Sequence, residues 1–158
     1  MRNNGFTLLE LAITSMVVIP IILLGVTSLF VTEYNLRAVM QDYAAVSREA
    51  QVAMDHMTRV IRFSDNAQIA GNTVTAHLEP GHLVYPSTGL AADIVYTYSG
   101  ADKNILVNDG SSWNYTLANH IDSFLVTWAS PLATINITAK KGEARVDLQT
   151  KVRSLAAA

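Results

Sequence analysis

From Leu11 to Val31 the chain carries no charged residue, and the run is rich in Ile, Leu and Val. A helix of about 20 apolar residues is what a bilayer's hydrocarbon core requires. A buried core helix is seldom apolar on every face over such a length, so a retained membrane helix is the expected reading. A cleaved secretory signal is the rival, because MRNN supplies a short basic start. Against it, the run exceeds the roughly 7 to 15 residues of a signal core, and no small-x-small site closes it before Thr32-Glu33-Tyr34-Asn35. Arg2 precedes the run and Arg37 follows it, so charge counting leaves the topology open. Pro20 and Gly25 interrupt the run. Pro20 removes the hydrogen bond to the Met16 carbonyl, which predicts a kink or loosened turn there. At the edge of the run stands one acid, Glu10.

After the run the apolar pattern narrows. Leu36, Met40, Tyr43, Ala50, Met54, Met57 and Ile61 recur at spacings built from three and four, with Ser47 as the polar exception. This is the stripe of an amphipathic helix. Asp42, Arg48, Asp55, Arg59 and Arg62 fall on the other face, and Asp55 and Arg59 stand at i, i+4, where an ion pair adds a few tenths of a kcal/mol. No Pro or Gly occurs between Glu33 and Phe63, so one continuous helix is expected from about Phe6 to Phe63. Ser64-Asp65-Asn66 is expected to end it in a turn.

From Gly71 the period becomes two. Strands are expected at residues 73–78, 82–85, 93–98, 105–108, 113–117, 123–128, 134–139 and 144–152. Turn clusters at 79–81, 86–89, 108–110 and 140–142 separate several of them. The fold class is therefore α+β, a long N-terminal helix packed on an antiparallel β-sheet. Its 158 residues suit one folded unit, with a loose tail at Leu155-Ala156-Ala157-Ala158.

Composition narrows the function classes. Eleven Lys and Arg against 13 Asp and Glu give a net charge of -2, so no basic field points to nucleic acid. The absence of Cys removes disulfides and thiolate chemistry. His56, His77, His82 and His120 show no spacing that gathers three ligands on one face, and no metal is expected. Asp102, Asn104, Asn108 and Asp109 form an oxygen-rich loop, but Val107 stands where a calcium loop of the EF-hand type needs Gly. Trp113, Tyr115 and Trp128 fit strand packing better than a ligand surface. No G-x-S-x-G, P-loop or HExxH pattern occurs, so no catalytic residues or cofactor are assigned.

Gly5-Phe6-Thr7-Leu8-Leu9-Glu10 resembles the signal of bacterial type IV pilins and pseudopilins: a short leader ending in Gly, then Phe-Thr-Leu-[Leu/Ile]-Glu, then a membrane span. The resemblance implies a leader at residues 1–5, an assembly helix at 6–35 and a head at 36–158, with helix at 36–63 and sheet at 71–153. It implies that a prepilin peptidase cuts between Gly5 and Phe6 and methylates the Phe6 amine. Glu10 would face the N-terminal amine of a neighbouring subunit. The implied partners are other pilin or pseudopilin subunits, the peptidase, an inner-membrane assembly platform and lipid. The chain would wait in the inner membrane with its head in the periplasm, then enter a pilus or pseudopilus. Two departures are visible: major subunits commonly carry their proline slightly deeper than Pro20, and many carry a C-terminal disulfide.

Segments 48–62, 94–98, 104–106 and 117–128 are similar to J-type minor pseudopilins of type II secretion and to W-type minor pilins. They imply a minor subunit that aids filament initiation. The alternatives are a major subunit or a filament-displayed binding module.

Overall fold

The computed structural model describes residues 7–78, 92–108 and 114–155. The chain forms one helix, α1 (Leu8–Phe63), then β1 (Ser64–Ala70), β2 (Thr73–Leu78), β3 (Ala92–Ser99), β4 (Asn104–Asn108), β5 (Asn114–Ala118), β6 (Ile121–Ala129), β7 (Leu132–Lys141) and β8 (Ala144–Arg153). Two compact units divide it, Met1–Met40 and Gln41–Ala158.

Among its described residues, the first unit is helix from Leu8 on. Its large apolar side chains are exposed from Leu8 through Met40. Four of its hydroxyls bond to their own backbone. Thr14, Ser15, Thr27 and Thr32 donate to the carbonyls of Glu10 (2.7 Å), Ala12 (2.9 Å), Leu23 (2.8 Å) and Ser28 (2.9 Å). These four hydroxyls need nothing from the surroundings, which suits a helix in an apolar solvent. Pro20 lies inside α1, and the helical assignment runs unbroken through it and Gly25.

The second unit is an α+β head. Helix residues 41–63 bury Val46, Ala50, Ala53, Met54, Met57, Val60 and Ile61. The expected stripe is therefore correct from Ala50 onward and needs correction before it. Leu36, Met40 and Tyr43 are 54%, 61% and 53% exposed. Periodicity reports an apolar face, not what covers it. Nor do Asp55 and Arg59 pair: they are absent from the ion pairs among the described residues.

Residues 64–66, expected as a turn, instead open a strand. Ser64 is fully buried and its hydroxyl donates to the Ile61 carbonyl at 2.9 Å. The Leu155 amide donates to the Arg62 carbonyl at 2.9 Å, and the buried Ser154 hydroxyl donates to the Ser64 carbonyl. The last carbonyls of the helix thus find donors in the following residue and in the C-terminal segment, and the chain passes straight into β1. A register shift between Ser64 and Asn66 absorbs the residues that favour turns.

The strands form two antiparallel sheets, β1-β2-β3-β4-β5 and β6-β7-β8. Two-residue hairpins with left-handed glycines, Gly71 (φ 59°) and Gly142 (φ 58°), join β1 to β2 and β7 to β8. Alternation then sets the inner faces. Val74, Ala76 and Leu78 of β2, Ile94 and Tyr96 of β3, Ile105 and Val107 of β4, and Ala133, Ile135, Ile137 and Ala139 of β7 are all buried in one core with the helix stripe. The expected strand at 82–85, the start of the expected strand at Trp113, and the turns at 79–81 and 86–89 lie outside the described residues.

Candidate functional site

The residues that carry the resemblance sit at the start of α1. Gly5 and Phe6 lie outside the described residues. Thr7 is the helix cap: its carbonyl accepts the Leu11 amide at 3.1 Å and its hydroxyl accepts the Glu10 amide at 3.3 Å. The Glu10 carboxylate reaches back to the Thr7 amide and hydroxyl, both at 3.1 Å. This reciprocal pair is a capping box, and T-x-x-E is its sequence signal. Sequence reasoning read Glu10 only as an assembly acid and passed over that signal.

The other end of the uncharged run is also closed locally. Arg37 donates to Glu33, one helical turn before it, at 2.5 Å. Both carboxylates that frame the run therefore have a partner on their own helix. The surface between them is uncharged and uncovered. Gly25 leaves open space there, since an added Cβ would meet nothing within 4 Å.

In the head, the histidines stand apart. His56 of α1 lies between two tyrosines, its Nδ1 3.0 Å from the hydroxyl of buried Tyr96 on β3 and its Nε2 3.4 Å from the hydroxyl of Tyr115 on β5. His77 meets Asp93 at 2.6 Å across β2 and β3. His120 (φ 58°) meets Glu49 at 3.3 Å, and the same carboxylate oxygen accepts the Asn119 amide at 2.7 Å. Glu49 thereby pins the corner between the two sheets to the helix. His82 lies outside the described residues. Among the described residues no three His, Asp or Glu side chains are grouped to hold a metal ion.

The oxygen-rich loop is engaged in part by nearby side chains. Asp102 accepts from the Ser99 hydroxyl at 2.8 Å, and Lys103 (φ 53°) pairs with Asp122 at 3.0 Å. The carbonyl oxygen of the Asn104 side chain is buried without a hydrogen bond, and Asp109 is outside the described residues. Tyr115 and Trp128 belong to different sheets, Trp128 packing on the core.

Burial, and then the Arg59 charge, hold the His56 imidazole below its ordinary value of 6.5. The folded head thus binds this proton less readily than the unfolded chain. The contribution of this group to stability is full above pH 6.5, declines as pH falls through that value, and levels off below its folded pKa. Replacing His56 with Gln is expected to flatten this acid-side loss, read as denaturation midpoints at a series of pH values.

Comparisons with protein-family models, with curated proteins and with solved structures each returned no match.

Proposed function

We propose that the chain is a structural subunit of a type IV pilus or type II secretion pseudopilus, held in the inner membrane by α1 until it enters the filament. The observation that carries this reading is the pairing of an antiparallel head with a helix whose apolar run is exposed on all sides, directly after Gly5-Phe6-Thr7-Leu8-Leu9-Glu10. In lipid that surface has a solvent. In a filament the same surface packs against other helices, where van der Waals contact and helix hydrogen bonds replace lipid.

The minor-subunit role, the prepilin peptidase, the assembly platform and the neighbouring subunits follow from the resemblance and belong to this proposal. So does Glu10 as the acid that receives a neighbour's N-terminal amine. Its present partners are neutral donors on its own chain. A cationic amine in a helix bundle offers a charge-assisted bond in their place.

The test is leader removal. When the chain is co-produced with a prepilin peptidase, intact-mass measurement should show it beginning at Phe6, with a methyl group added. Gly5→Val should retain residues 1–5, because a branched side chain replaces the glycine at the cut. A Gly5→Val chain that begins at Phe6 contradicts the assignment.

A further inference from the structure

Phe30, Tyr34 and Arg37 follow one another at i, i+4 and i+7, so they lie along one face of α1. With Val31 and Glu33 they line a shallow, open groove on the helix surface. Phe30 and Tyr34 are 65% and 75% exposed, and the Arg37 side chain is 73% exposed. The order along the face is apolar ring, ring with hydroxyl, guanidinium. That is the order of polarity met on leaving a bilayer through its headgroups.

The ion pair sharpens this. Arg37 uses Nη2 on Glu33, one of its five N–H donors. The guanidinium retains a fork that can grip a phosphate oxygen, while Glu33 lowers the net charge that must approach the hydrocarbon. Tyr34 sits one turn deeper, where its hydroxyl reaches the ester and phosphate layer.

Resting on the membrane reading above, we propose that Tyr34 and Arg37 form a phospholipid headgroup site that fixes the depth of α1, with the hydrocarbon boundary between Phe30 and Tyr34. From Leu11 to Phe30 the helix then spans about 30 Å at 1.5 Å per residue, the thickness of the hydrocarbon core. Depth is thus set at the head-side end, by side chains, and not by the apolar run alone.

The chain has no Cys, so single cysteines report position without background. The full chain is reconstituted in phosphatidylcholine vesicles with and without phosphatidylglycerol. A polarity-sensitive fluorophore is attached in turn at positions 26, 29, 32, 36 and 40, outside the residues of the site. The expected result is a step from apolar to aqueous emission between 29 and 36. In Tyr34→Phe/Arg37→Gln the step should move by about one helical turn. An inserted helix whose step lies elsewhere overturns the headgroup site and leaves the membrane reading standing. So does a step that the double substitution leaves in place. Shielding of 32 and 36 that appears only at high protein-to-lipid ratio assigns the groove to a second helix, and also overturns the site. Aqueous emission at every position removes both proposals.

Discussion

Glu10→Gln is expected to leave the chain in the membrane fraction while reducing its incorporation into filaments by about a hundredfold. That is the scale on which losing one member of a desolvated charge pair acts. The choice of glutamine separates the two jobs open to Glu10. In the isolated subunit its carboxylate accepts from the Thr7 amide and hydroxyl. Glutamine serves a capping box as well as glutamate does, so the helix start survives the change. What glutamine cannot supply is the negative charge for a neighbour's amine. Thr7→Ala makes the converse change: it removes the cap, at about 1 kcal/mol, and keeps the charge. Assembly should therefore fail in Glu10→Gln and persist, weakened, in Thr7→Ala. Equal incorporation of Glu10→Gln and the parent chain, measured in sheared filaments, would mean that Glu10 only caps its own helix.

The largest stability effect is expected at Ile137. It is 1% exposed on β7, the central strand of the three-stranded sheet, directly between Phe124 of β6 and Leu148 of β8. Ile137→Ala removes three carbons and leaves a cavity that neighbours on both sides limit from closing. The expected loss is about 2–5 kcal/mol. Leu125→Ala on the outer face, where Leu125 is 56% exposed, should stay within about 0.5 kcal/mol. Denaturant unfolding of the detergent-solubilised chain, followed by tryptophan emission, compares the two. Losses of similar size would show that the inner face of β7 is not the core.

What the sequence made legible follows from what periodicity can report. The helix end at Phe63 and the bounds of β2 are read to the residue, and β3 through β8 to within about two, because apolar alternation marks a half-buried element directly. β1 was missed for the opposite reason. In SDNAQIA only Ser64 and Ala67 are buried, so the strand has no apolar period and exists through its pairing with β2. The division into two sheets was also invisible, since alternation says which face is inside but not which strand is the neighbour.

At the candidate site the difference is one of range. Glu10 and Thr7 are three residues apart, and their pattern stands in the sequence for anyone who reads helix starts. His56, Tyr96 and Tyr115 are brought together over separations of 40 and 59 residues. No local pattern announces such a cluster. Glu49 holds the Asn119 amide over 70 residues, and it too becomes visible only in the folded head.

If the chain is a filament subunit, the surface of α1 between Glu10 and Glu33 exchanges lipid for other helices. Single cysteines placed in turn at positions 11–30 of the cysteine-free chain, and oxidised in cells that carry the assembly machinery, test it most directly. The predicted result is disulfide-linked species with cysteine-bearing partner subunits or second copies, recurring every three to four positions and lost in Glu10→Gln, while the chain resists carbonate extraction. A chain that carbonate releases, or one that stays in the membrane and cross-links at no position, would show that this surface does not pass from lipid to a helix bundle.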